Sequence, residues 1–445
     1  MRRTLNTWVA ITATLAMAGA GCGDDTSEKP EVRIAILAPT SGALNQVGES
    51  FVRVAVAAVE EINSKGGANG HEIVLIVKDT ETDPVAATDA FIDAVEIDKV
   101  IAIVGPATSG AVTSTYPEAM RLNVPHISPS STAPPLGDPA TTVDGGWMFR
   151  NVPDDSIQGL AQAYYLRVAL GGPQISTAAI IHENGPYGEG LAGAFETAFE
   201  GAGGDVPDTH IISYDNNLPN QAAADAVFAQ VMALSPAPTT VMLVSLENDG
   251  LLITNAWDNG GSPLLPGLRW FLTDGARSSG FLSGMAATLV NTEGTAPTSP
   301  IQGVAYETLV AAYELRNSDK LSEQVFGANV WDAVHVIAAA IAKQSHDSGP
   351  DALGGDGLRV ALTDVSRGPG QIFHAGQWAD MMGAIGSGSA VDYDGASGPS
   401  DFDAEGETVG PYEVWRIVSD GAGGYTFEQV LFLEAGDIED LLSGN

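Results

Sequence analysis

Val32-Arg33-Ile34-Ala35-Ile36-Leu37-Ala38-Pro39-Thr40-Ser41-Gly42 decides the architecture. Residues 32–37 are almost wholly apolar, so this is a strand covered on both faces, and Pro39 to Gly42 is a turn. Phe51, Val54, Ala55, Ala58, Val59 and Ile62 then recur at steps of three and four, which puts them on one helical face. Gly66 and Gly67 stop that helix. The alternation continues with a strand at 73–77, a helix at 84–95 and strands at 100–104 and 124–127. Fully apolar strands separated by amphipathic helices predict a parallel sheet flanked by helices.

A second run of the same kind starts after Asn151. Strands are expected at 178–181, 211–214, 241–244 and 270–272, with helices at 190–199 and 222–234. Two such units suit a chain of 445 residues, since a domain typically takes about 100–200. In the last third, 329–341 is helical, while 347–357 and 383–410 are rich in Gly, Ser, Pro and Asp and read as loops. Residues 412–417 and 425–433 alternate as strands of a hairpin across 420–424.

Composition excludes several classes. Nineteen Lys and Arg face 56 Asp and Glu, a formal charge of -37, which argues against nucleic-acid binding because phosphate contacts need clustered cations. The single Cys22 forms no internal disulfide and no Cys-rich zinc site. Arg2 and Arg3, an apolar stretch at 8–20 and Gly19-Ala20-Gly21 before Cys22 resemble a lipoprotein signal over 1–21, with Cys22 lipidated; ordinary secretory cleavage is the alternative. Residues 22–31 read as a polar tether, and no later stretch is apolar for long enough to span a bilayer. The chain is therefore expected in the cell envelope, on the periplasmic side, anchored or soluble.

The chemical motifs are mostly negative. Gly188-Glu189-Gly190-Leu191-Ala192-Gly193 matches the dinucleotide fingerprint, but six residues, 182–187, separate it from the strand, so a structural helix start is the better reading. The histidines lack paired metal spacing, no G-x-S-x-G elbow occurs, and 401–406 lacks the distal Glu of a calcium loop. No cofactor or metal is expected. The informative segments are the hydroxyl-rich turns 105–110 and 128–134, which follow strands where open α/β sheets bind ligands. Without Lys or Arg they suit one small carboxylate, although Ser and Thr also cap helices irrespective of function.

These turns carry a resemblance. With Ala38 to Gly42, Glu61-Ile62-Asn63-Ser64-Lys65-Gly66-Gly67, Phe149-Arg150-Asn151, Asp155, Gln158-Gly159, Tyr187 to Gly190, Asp274-Gly275, Asp332-Ala333-Val334 and Tyr393-Asp394-Gly395, in this order, the sequence resembles the leucine/isoleucine/valine-binding branch of the type I periplasmic binding proteins, which serve ABC importers. The resemblance runs from Val32 to Val418. It implies a two-lobed α/β fold, each lobe a mainly parallel sheet flanked by helices, hinged by three crossings. Lobe 1 would comprise 32–150 and 296–395, lobe 2 151–295 and 396–445, with crossings near Asn151, Thr295 and Gly395.

It also implies a binding protein, not an enzyme, that closes over a small amino acid and delivers it as a monomer to an ABC permease. Ser109 and Thr132 would hold the α-carboxylate, Ala107, Ser130 and Ser131 would line the same wall, Asp274 would pair with the ammonium, and Tyr187 would close from the second lobe. The alternative for Asp274, the lesser of the two readings, is a turn residue before Gly275. Val47 and Leu246 stand where relatives carry aromatics, and Glu247 either faces solvent or helps bind a cation. Three alternatives remain open: a sensor that signals to a receptor, a lipoprotein for an amide, short carboxylate or aromatic acid, and a nucleotide-dependent α/β enzyme using the Gly188 segment.

Overall fold

The computed structural model describes residues 29–137, 146–170, 174–299, 303–317, 320–434 and 436–438. The expected signal peptide, Cys22 and most of the expected tether lie outside the described residues. In the first lobe, β1 (Glu31–Ala38), α1 (Asn45–Ser64), β2 (Glu72–Asp79), α2 (Pro84–Glu96), β3 (Ile103–Val104), α3 (Ser109–Leu122), β4 (His126–Ser128) and β5 (Met148–Arg150) follow in turn. All five strands are parallel, in the order β2-β1-β3-β4-β5.

The chain then crosses to α4 (Asp155–Tyr164), β6 (Ala179–Glu183), α5 (Pro186–Gly201), β7 (Ile211–Tyr214), α6 (Gln221–Met232), β8 (Thr240–Val244), α7 (Glu247–Asp258), β9 (Arg269–Leu272), α8 (Ser279–Gly284) and β10 (Glu293–Pro297). Next come α9 (Val304–Glu314), α10 (Gly327–Ser348), α11 (Gly355–Ser366), β11 (Gln371–His374), α12 (Trp378–Gly386) and β12 (Val391–Asp394), which build on the first lobe, where Trp378 donates to the Gly67 carbonyl at 3.1 Å. Finally β13 (Tyr412–Ser419) and β14 (Tyr425–Leu433) complete a seven-stranded second sheet, β14-β13-β10-β9-β8-β6-β7, as an antiparallel hairpin on its edge.

The elements follow from local chemistry. The predicted face of α1 is buried, and the helix ends where Gly66 and Gly67 take positive φ of 110° and 79°. A Cβ on Gly67 would sit 2.0 Å from the His71 carbonyl, so only glycine fits. Helix α10 is buried almost all round, which makes it a central core element with no polar face. The Gly188 motif lies inside the first turns of α5, with Gly188 and Gly185 donating to the Glu183 carboxylate at 2.7 Å each. Its glycines serve close packing: a Cβ on Gly188 would meet the Glu183 carbonyl at 2.0 Å, and one on Gly190 would meet Pro134 at 2.9 Å.

Two stretches expected as loops contain regular structure. Residues 347–357 hold the end of α10 and the start of α11, and 383–410 hold the end of α12 and β12. Asp332 on α10 explains why a Gly- and Ser-rich stretch is ordered. Its carboxylate accepts from Tyr393 Oη at 2.9 Å and from the amides of Ala396 and Ser397 at 2.8 and 2.6 Å. A Cβ on Gly395 would collide with that carboxyl carbon at 2.2 Å.

Candidate functional site

The strand ends of both sheets meet across a cleft lined by Leu44, Val47, Phe51, Ala107 to Ser109 and Ser130 from the first lobe, Tyr187, Leu246, Asp274 and Gly275 from the second, and Val325 and Phe326 before α10. It encloses about 460 Å³ of empty space, its open mouth included. Thr108 caps α3, accepting from the Ala111 amide at 3.3 Å. The first amides of a helix have no partner within it, so the start of α3 offers N–H groups and the Ser109 hydroxyl to an anion. Ser130 also lines the cleft, its hydroxyl donating to the Ala107 carbonyl at 2.7 Å.

On the facing wall, Asp274 Oδ1 accepts from Gln158 Nε2 at 3.0 Å, and the Tyr187 hydroxyl lies 2.9 Å from both that oxygen and Thr273 Oγ1. Burial pushes the Asp274 carboxyl above the usual range and the Tyr187 phenol well above its own. The cleft therefore has a donor end and an acceptor end with apolar side chains between them.

Six of the eight expected ligand residues, Ala107, Ser109, Ser130, Tyr187, Leu246 and Asp274, share this cleft. Ser131 and Thr132 do not line it. Ser131 is buried among Ser128 and the Pro106 and Ala107 carbonyls, and Thr132 donates to Asp155 Oδ2 at 3.0 Å. Glu247 neither faces solvent nor lines the cleft; it is buried and accepts from the Ser278 hydroxyl. Leu44, Phe51, Val325 and Phe326 were not expected. Phe51 reads as ordinary core on its helix, and Phe326 precedes α10 in a left-handed backbone, φ 61°, that no motif announces. The two rings meet edge to face, centroids 6.5 Å apart.

The lobes touch at the mouth of the cleft. Asn217 accepts from the Ala43 amide at 3.0 Å and donates to the Thr82 carbonyl at 3.1 Å, while the Asn248 amide donates to the Ala43 carbonyl at 3.0 Å. The arrangement is thus closed. Among the described residues no group of three His, Cys, Asp or Glu is placed to hold a metal, and no helix is long and apolar enough to cross a membrane.

A family model described as periplasmic binding protein matches residues 31–422. The chain belongs to the periplasmic binding protein family. Its fold is type I, with two α/β lobes. This periplasmic binding protein is 28% identical over 393 residues to the chemotactic signal transduction system substrate-binding protein BasB of Halobacterium salinarum, covering 88% of each chain. In structure it is similar to the branched-chain amino acid transporter substrate-binding protein LivJ of Streptococcus pneumoniae in complex with isoleucine, with a TM-score of 0.68, 21% identity, and coverage of 90% of this chain and 99% of that one. It is also similar to an ABC transporter solute-binding protein of R. palustris in complex with benzoate, with a TM-score of 0.69, 16% identity, and coverage of 91% and 96%.

Proposed function

We propose that this protein captures a small amino acid with an apolar side chain in the extracytoplasmic space and presents it, closed, to an ABC importer. The carrying observation is the pairing of a donor end at Ser109 and the start of α3 with an acceptor end at Asp274 and Tyr187 across one cleft. A zwitterion buried there needs both charges met, because an unpaired buried charge costs several kcal/mol, as an order of magnitude. Between the two ends Leu44, Val47, Phe51, Leu246 and Phe326 suit an aliphatic side chain. Thr132 serves the site through Asp155 in this state, and Ser131 shapes the loop behind it.

Closure would turn on crossings at Asn151, after Pro297 and between Thr408 and Tyr412. In support of a third crossing beyond the expected Gly395, 400–408 still packs on β5, where the Arg150 amide donates to the Gly406 carbonyl at 2.9 Å and Phe402 meets Phe149 with ring centroids 5.0 Å apart. Asn151 and Asn329 exchange side-chain-to-carbonyl hydrogen bonds of 2.7 and 2.5 Å at the first crossing. An envelope location with lipidation at Cys22 completes the proposal. Sensing is the second reading, favoured by the likeness to BasB over nearly its whole length. Asp274→Ala is expected to abolish amino-acid binding in calorimetry while the circular dichroism spectrum is retained; undiminished affinity would remove Asp274 from the ammonium role.

A further inference from the structure

The Gln158-Gly159 pair is a sequence motif that the cleft itself does not use, since neither residue lines it. Gln158 is fully buried on α4, behind the wall that carries Asp274. Its Nε2 donates to Asp274 Oδ1 at 3.0 Å and reaches Thr295 Oγ1 at 3.1 Å and the Thr295 carbonyl at 3.3 Å. Chemistry fixes this orientation of the amide: turned over, its oxygen would face a carboxylate and a carbonyl, which only accept. Gln162, one turn further along α4, donates to the same Thr295 hydroxyl at 2.9 Å. Gly159 sets the depth of this face, because a Cβ there would lie 2.6 Å from the Ala194 carbonyl carbon of α5.

Two details separate this arrangement from ordinary core packing. Gln158 Oε1 is buried and meets no donor among the described residues. An unpaired buried acceptor costs stability, so the side chain is held for its amide hydrogens and not as a fully paired core group. In addition, both side-chain donors to Asp274, Gln158 Nε2 and Tyr187 Oη, converge on Oδ1. Among the described residues no side chain donates to Oδ2, the other oxygen of a carboxyl that lines the cleft. Gln158 also stands between two hinge segments: α4 follows the crossing at Asn151, and Thr295 lies near the end of β10, before the crossing after Pro297.

We propose that Gln158 is a positioning residue for ligand binding: its amide ties Oδ1 of Asp274 to α4 and β10, which holds Oδ2 toward the ligand and makes the acceptor end of the cleft move as one body with the hinge segments. Gln158 itself touches no ligand. The inference rests on the reading of Asp274 as the partner of an amino acid's ammonium group, and adds the group that holds it in place.

Isothermal titration calorimetry of the full chain with L-leucine at about pH 5.5 and about pH 8, on either side of the range where a raised carboxyl titrates, tests this with Gln158→Leu and Gln158→Glu, each checked by circular dichroism. Gln158→Leu fills similar space without the donor. Its dissociation constant at pH 8 should rise about 10- to 100-fold, the loss expected for a hydrogen bond to a charged group. The loss should be larger at pH 5.5, because an amide donor favours the charged carboxylate and without it Asp274 keeps its proton to higher pH. The other titratable and charged groups around the site, Tyr187 of α5, Asp155 of α4, Tyr412 of β13 and Arg150 of β5, are unchanged in this variant. Gln158→Glu should show the opposite trend: weakest at pH 8, where two carboxylates face each other, and partly restored at pH 5.5, where a protonated Glu donates as the amide did. Gln158→Leu binding L-leucine unchanged, or weakened equally at both pH values, would overturn the positioning role and leave the amino-acid reading standing. Should Gln158→Leu fail to fold, a Gln158→Glu protein without recovery at pH 5.5 overturns it instead. An unsubstituted chain that binds no amino acid would overturn the amino-acid reading, and this inference with it.

Discussion

At the scale of single residues, the strongest statement concerns Asp332. It is fully buried and supplies the acceptors for two hydroxyls, those of Tyr393 and Ser397, and two amides of the 393–397 turn. Asp332→Ala strands those donors, each costing about 1–3 kcal/mol when left unsatisfied. A loss of at least about 3 kcal/mol in urea unfolding is expected; a change below about 1 kcal/mol would show that water replaces the carboxylate. Residues of this kind are partly legible in a sequence. Asp332 and Gly395 stand among the quoted motifs, but that they touch each other emerges only in three dimensions. Phe326 shows the opposite limit: its place in the cleft depends on a left-handed backbone that no local pattern encodes. Thr132 was expected to hold the ligand carboxylate, yet its hydroxyl points to Asp155, a partner 23 residues away.

At the scale of elements, most strands and helices up to Leu272 were legible because apolar runs and helical faces are strong signals there, whereas β5, α4 and α7 were not read. Helices α9, α11 and α12 were not, since α12 sits among glycines and α11 starts in a Gly- and Asp-rich stretch. The turn between β7 and α6 shows how elements cooperate across the cleft. Asp249 on α7 accepts from the Asn217 and Leu218 amides at 2.9 and 2.8 Å, and so aims Asn217, in a left-handed conformation, at Ala43 and Thr82 of the other lobe. Two hydrogen bonds at about 0.5–1.5 kcal/mol each make this a latch on closure. Asn217→Ala is expected to speed ligand release about five- to a hundred-fold in stopped-flow, with a smaller effect on association. An unchanged release rate would mean that the contact contributes nothing to the closed state.

At the scale of the whole molecule, acidity dominates. The chain carries -37 formal charges, and their repulsion is screened by salt. The melting temperature should rise with added NaCl; indifference to salt would show that the surface charge is only solvated. Buried carboxyls add a pH dependence with a definite sign. Burial raises Glu407 to about 7 and Asp249 to about 6, so the folded protein keeps protons that the unfolded chain has lost. Their contribution is complete below the ordinary carboxylate range and is lost as pH rises through 6 to 7. Ligand-free protein should therefore melt at a lower temperature at pH 8 than at pH 5, and Glu407→Gln should flatten part of that slope. A Glu407→Gln profile identical to that of the unsubstituted chain would assign the slope to other groups.

The most direct test of the central claim is a melting curve of this protein against L-amino acids, benzoate and small amides at concentrations well above their dissociation constants. Occupancy at about 100 times Kd stabilises by about 2.7 kcal/mol. A rise of several degrees with at least one aliphatic L-amino acid, abolished by Asp274→Ala, is expected. A rise with benzoate or an amide and none with any amino acid would contradict it.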